Sequence, residues 1–210
     1  MDIRKFCCAM ALISAAGVSH ADDFFVSTSL GGSNYRSQPY VSLSDWHSQT
    51  EALRFGYQWT TGAFSYGLET GYANMGHSDR FWTHLTGSTN LSERIDGFML
   101  GGNLKYALPM GFYVSARGGF FRSTNHEVSN SESWEFIIGG ERVTHYTAKE
   151  DVSGMGSYAG VGVGYDINRS LGLGLNYDRY RAHVPYSQYG GPLTETSRVD
   201  TYTVTAEYRF

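Results

Sequence analysis

Apolar and polar residues alternate one for one in stretch after stretch of this chain. In FFVSTSLGGSNY, Phe24, Val26, Thr28 and Leu30 share one face, while Ser27, Ser29, Gly31 and Ser33 share the other. ALRFGYQW sets Leu53, Phe55, Tyr57 and Trp59 against Arg54, Gly56 and Gln58. The same split recurs in FSYGLETGYAN, DGFMLGGNLKY, FYVSARGGF, YAGVGVGYD, LGLGLNYD and the closing TYTVTAEYRF. A period of two is the signature of a strand with two unlike faces. The pattern predicts eight strands and an all-β fold.

The segments between these stretches alternate in length. TTGA, ALPMG and DINRS are short, whereas residues 36–50, 76–93, 123–153 and AHVPYSQYGGPLTET are long and polar. An antiparallel up-and-down order then collects every short turn at one end and every long connection at the other. An even strand number returns both termini to the short-turn end. The last strand ends on Phe210, an apolar member of its own pattern, with no polar tail after it. An edge strand of this kind would invite pairing with another chain. Pairing the last strand with the first removes the edge and closes a barrel.

Volume decides which face of that barrel is outside. Eight strands enclose room for side chains and little else. Phe55, Tyr57, Trp59, Tyr66, Tyr72, Tyr106, Phe112, Tyr165, Tyr177, Tyr208 and Phe210 are too bulky to share that space, whereas glycine, serine and threonine fit it. The apolar faces therefore point outward, into lipid, and the aromatics beside the short turns mark an interfacial girdle. Short turns would face the periplasm and the long connections the exterior.

Composition supports this reading. The chain has 210 residues, 26 glycines, only four prolines and 15% aromatics, with a formal charge of −4. The aromatic content excludes a disordered chain, and the acidic balance without a basic run excludes a nucleic-acid binder. Arg4 and Lys5, the apolar run Phe6 to Val18, and Ser19-His20-Ala21 read as a signal peptide over residues 1–21. Its apolar stretch is shorter than the ~20 residues of a spanning helix. Cys7 and Cys8 both lie inside it, so the mature barrel, residues 22–210, would use no disulfide.

GYQWTTGAFSYGLETGYANMG, GFMLGGNLKYALPMGFYVSARGGFFRS and YAGVGVGYDINRSLGLGLNYDRYR together resemble the OmpA-like transmembrane barrels, a group that includes the small barrels of the OmpX and Ail type. The order and spacing carry the resemblance across nearly the whole mature chain. It implies an integral outer-membrane protein without a cofactor. It implies contact with outer-membrane lipid and lipopolysaccharide, and a role in envelope integrity or adhesion through the outer loops, with host or surface macromolecules as partners. AEYRF is similar to the C-terminal signature read by the barrel-assembly machinery, which would make Tyr208 and Phe210 an assembly signal. The peptidoglycan-binding domain of full-length OmpA has no counterpart after Phe210, so cell-wall tethering is not implied.

Four sets of residues are candidates for chemistry. Arg54, Glu69, Lys105, Arg117 and Asp178 fall on inward faces, as do Glu207 and Arg209. A hairpin closing on Trp59 and Phe64 would set Arg54 directly opposite Glu69, as a charge-assisted pair that either plugs the lumen or gates a narrow, low-conductance channel. In the outer connections, Trp46, Trp82, Trp134, Tyr146 and Tyr189 are aromatic anchors for a partner, and SWEFIIGGERVTHY can form a hairpin around Gly139 and Gly140. Histidines 47, 77, 84, 126, 145 and 183 show no metal-ligand spacing. A lipid-modifying enzyme would need Ser and His side by side with a carboxylate. The nearest approach, His126, Ser129 and Glu132, lies in a segment without a fixed register, so no catalytic residue is assigned.

Overall fold

The computed structural model describes residues 22–36, 48–84, 87–137, 140–188 and 191–210. Eight antiparallel strands form a closed ring in chain order: β1 (Asp22–Arg36), β2 (Ser48–Thr61), β3 (Phe64–His84), β4 (Gly87–Ala107), β5 (Phe112–Ile137), β6 (Gly140–Asp166), β7 (Leu171–Gln188) and β8 (Gly191–Arg209). β1 pairs with β8 from Phe25↔Arg209 to Arg36↔Arg198, so the ring has no open seam. Phe210 closes the last gap by donating its N–H to the Phe24 carbonyl at 2.9 Å. The expected cleavage segment, residues 1–21, lies outside the described residues.

The alternation resolves as the volume argument requires. Leu53, Phe55, Leu68, Leu100, Val161, Leu175 and Val204 are exposed on the outer wall, Leu175 at 62%. Arg54, Glu69, Lys105, Asp178 and the threonines Thr201, Thr203 and Thr205 are buried inside. The outer aromatics beside the short turns pack edge to face in pairs, among them Phe112 with Tyr165 and Tyr208 with Phe210, at centroid separations of 5.3 and 5.0 Å.

The lumen is not filled by small residues alone. Phe25, Tyr113, Phe121, Tyr158 and Tyr180 point inward and are buried. Glycine on a neighbouring strand makes the space. Gly56 is paired with Phe25, and a Cβ there would come within 2.3 Å of the ring. Gly164 is paired with Tyr113, and its added Cβ would come within 2.3 Å of that ring. Large and small side chains thus alternate around the bore, as a narrow barrel demands.

Among the described residues, the long connections after β3, β5 and β7 are mostly strand rather than loop. β3 and β4 stay paired out to His84↔Gly87, β4 and β5 to Gly87↔Ser133, and β5 and β6 to Ile137↔Gly140. A membrane crossing takes ~9–11 residues per strand, yet β5 and β6 have 26 and 27. β5 and β6 pair as far as Ile137↔Gly140, and Gly139 of the expected hairpin lies outside the described residues. A bulge at Asn74/His77 marks where β3 leaves the ring. Gly76 takes φ of 78° there, a conformation open to glycine at no steric cost. Side chains satisfy the carbonyls that the bulge frees: Ser33 donates to Met75 O at 2.5 Å, Tyr35 to Gly76 O at 3.0 Å, Thr50 to Asn74 O at 2.9 Å, and Ser48 to His77 O.

Gly164→Val should therefore destabilise the folded barrel by about 1–3 kcal/mol through overpacking against Tyr113, whereas Leu175→Val on the outer wall should change it by much less. Urea titrations of both variants in lipid vesicles, read by tryptophan fluorescence, measure the difference.

Candidate functional site

The inward groups are sorted into layers along the bore. Nearest the short turns, Lys105 Nζ donates to Asp166 at 2.9 Å and to Glu207 at 3.5 Å, and it sits 3.8 Å from the centre of the Tyr113 ring. Arg209 donates to the same Asp166 oxygen at 2.7 Å. In the middle, Asp178 binds two guanidinium groups: Arg117 Nε at 2.7 Å and Arg54 Nη2 at 3.4 Å. Arg54 also donates to Ser29 Oγ at 2.9 Å and to the Tyr180 hydroxyl at 3.0 Å. Both Arg54 and Asp178 are 1% exposed. Glu69 accepts from the Tyr158 hydroxyl at 2.8 Å and from Asn103 at 3.4 Å.

Toward the long hairpins the lining turns apolar. Ala52, Ala73, Met75, Ile95, Met99, Phe121, Tyr158, Tyr180 and Val199 form one buried cluster. Tyr158 and Tyr180 stack at 5.9 Å, and Phe121 meets Tyr180 edge to face at 5.0 Å. The two tyrosines join the layers: their rings belong to the apolar cluster and their hydroxyls to the ionic one. Lys105, Arg209, Arg117 and Arg54 are matched by Asp166, Glu207, Asp178 and Glu69, four cations against four anions. Among the described residues, this ionic network lies below a cap of methionine and aromatic side chains.

The expected pairing of Arg54 with Glu69 does not occur. The turn between β2 and β3 contains only Gly62 and Ala63, so the hairpin closes on Thr61↔Phe64. That moves the register by two residues and sets Arg54 opposite Gly71, and Glu69 opposite Gly56. A shift of two preserves the faces, so both charges stay in the lumen. They find partners across the bore rather than beside them. Tyr158, Tyr180, Ser29 and Asn103 are members of the network that a count of charged residues overlooks. Tyr180 carries a readable signal, since it has the parity of Asp178.

The external candidates are less concentrated. Trp46 and Tyr189 lie outside the described residues, and Trp82 occupies the β3 position across from Thr89. Trp134 is paired with Val143, and the exposed Tyr146 with Ser131, which puts the two aromatics on opposite faces of the β5–β6 hairpin. The segment holding His126, Ser129 and Glu132 is ordered strand, and it does not bring the three together. His126 meets Asp151 at 2.7 Å and Asp96 at 3.3 Å, while Glu132 meets His145 at 3.2 Å. Tyr208 and Phe210 meet edge to face at the short-turn rim.

A closed eight-stranded sheet with an apolar exterior, an aromatic rim and an ionic interior defines a transmembrane β-barrel. Residues 6–210 match the outer membrane protein beta-barrel domain, and the chain belongs to that family and resides in the outer membrane. No curated protein matches the chain. Among solved structures, Ail of Yersinia pestis in complex with the heparin analogue sucrose octasulfate is similar at 12% identity and a TM-score of 0.51, covering 91% of this chain and 100% of Ail. A major outer membrane protein from Thermus thermophilus is similar at 16% identity and a TM-score of 0.50, covering 91% of this chain and 100% of that one. Neisserial surface protein A is similar at 9% identity and a TM-score of 0.41, covering 89% of this chain and 97% of that one. These likenesses are likenesses of fold.

Asp178→Ala removes the shared partner of the buried Arg54 and the half-buried Arg117. It should cost about 3–5 kcal/mol, the usual penalty for an uncompensated buried charge. Arg54→Ala leaves the Arg117–Asp178 bond intact and should cost less. Urea midpoints of the two variants in vesicles give the order directly, and the opposite order would show that Asp178 is not the hub.

Proposed function

We propose that this barrel is a surface-interaction and envelope-integrity protein that works through the β3–β6 sheet standing beyond the membrane. The carrying observation is the length of continuous pairing. More than half of β5 and β6 lies past the ~10 residues a crossing needs. Ordered backbone presents side chains to a partner with less entropy still to lose than a loose loop would have. Trp134 and Tyr146 offer one aromatic anchor on each face. The partners of this reading are lipopolysaccharide at the rim and host or surface macromolecules above it, with the barrel-assembly machinery acting earlier on Tyr208 and Phe210. Residues 1–21 serve as the export signal in the same reading, and N-terminal sequencing of the membrane-extracted protein should begin at Asp22.

The lumen network acts as a structural plug in this account. A channel would need the Met75–Met99–Phe121 layer to part, and that layer is buried at 0–1% exposure.

Replacing residues 129–148 by a short glycine-containing turn should leave a barrel that still shows heat-modifiable migration on gels. Adherence of expressing cells to host-cell matrix should fall about tenfold or more, the equivalent of one lost anchor at ~1.4 kcal/mol. Trp134→Ala with Tyr146→Ala should reproduce most of that loss. Unchanged adherence with the trimmed barrel at the cell surface would remove the basis for the proposal.

A further inference from the structure

The outer wall turns from tyrosine to arginine at the rim on the side opposite the tall sheet. Outward positions on β7 run Leu173, Leu175, Tyr177, Arg179, Arg181, and those on β8 run Val204, Tyr202, Asp200, Arg198. Arg179 is satisfied locally: Nε donates to Asp200 at 2.7 Å, and Nη2 to Asp200 at 3.3 Å and to the Tyr177 hydroxyl at 2.7 Å. One outward row higher, Arg181 is paired directly with Arg198 across the β7–β8 ladder. Both are exposed, and neither has a hydrogen bond or ion pair among the described residues. On β1, position 36, also an arginine, falls across from Arg198 in that row. Like charges directly opposite on a sheet repel, so an anion seated between Arg181 and Arg198 would stabilise the pair. A guanidinium fork suits phosphate.

The surroundings say where that phosphate comes from. Tyr177 and Tyr202, rings 5.1 Å apart, stand just below the arginines at the depth of an interfacial girdle. Beneath them the outer wall holds an open concavity of about 770 Å³, lined by Leu30, Val161, Val163, Leu175 and Val204, and the two tyrosines border it. A basic pair above an apolar trough is complementary to one molecule with a phosphate head and an acyl tail. We infer that Arg181 and Arg198 hold the phosphate of an outer-leaflet lipid whose acyl chain lies in this trough. The inference rests on the lipopolysaccharide contact proposed above and assigns its residues, and it stands apart from the adhesive sheet on the other wall.

The test uses the full mature chain refolded in phosphatidylcholine vesicles, in vesicles with a few mole per cent of diphosphorylated lipid A, and in vesicles with the same lipid A stripped of phosphate. The unfolding midpoint should rise with the phosphorylated lipid alone. R181Q/R198Q should weaken the lipid A titration about tenfold or more, each single variant should lose part of it, and R169Q at the short-turn end should lose none. Heat-modifiable migration in plain vesicles confirms that each variant is folded. If the double variant fails that check, the two single variants decide. An unchanged titration in the variants, an equal response to the phosphate-free lipid, or an equal response to inorganic phosphate in plain vesicles would overturn the assignment. Adherence of the trimmed-hairpin barrel is read separately, so either reading can fail alone.

Discussion

The backbone of this chain has no water to bond to along most of its membrane-crossing length, and everything else follows from that. In hydrocarbon each unpaired N–H or C=O costs several kcal/mol. The β1–β8 ladder, from Phe25↔Arg209 to Arg36↔Arg198, removes the row of open groups that a flat sheet would leave. Closure fixes the strand number, and the strand number fixes the width of the bore. The width then dictates the partition of side chains: bulky apolar groups go to the lipid, and charges go inward, where they must neutralise one another. Arg54, Asp178 and Arg117 are the centre of that neutralisation. Their value lies in register as much as in net stability, since buried ion pairs roughly break even against apolar packing but are costly when half removed. A one-residue slip of β2 or β7 would turn Arg54 or Asp178 toward lipid.

Strand number, strand faces and short turns are legible in the sequence because a half-buried strand in lipid is the strongest case of period-two patterning. The partners inside the bore are not. Thr61↔Phe64 rather than Trp59↔Phe64 closes the first hairpin, and a difference of two residues keeps every face while exchanging every neighbour. Cross-bore contacts such as Arg54 to Asp178, 124 positions apart, depend on how strands tilt around the ring and leave no local trace. The inward aromatics escape the pattern for a different reason. Phe25, Tyr113, Tyr158 and Tyr180 share the parity of glycines and charges, and only the pairing shows that Gly56 faces Phe25 and Gly164 faces Tyr113. The outer strands read as loops because HEVSNSES carries one apolar residue, Val128, among polar ones on both faces, as expected of a sheet wet on both sides.

The rest of the molecule divides by wall and by height. The bore holds the ionic network and its apolar cap, the β3–β6 wall carries the longest strands, and the β7–β8 wall carries Arg181 and Arg198 above an apolar trough. Each region uses residues that the others do not need, so the barrel can present two surfaces without loosening its interior.

The orientation of the strand faces underlies all of this, and spin-label accessibility along β7 tests it directly. Single cysteines placed in turn at positions 172 to 178, each carrying a nitroxide in the reconstituted barrel, should show oxygen accessibility that peaks at positions 173 and 175 and falls at 172, 174, 176 and 178. The opposite phase, or no alternation at all, would contradict the account.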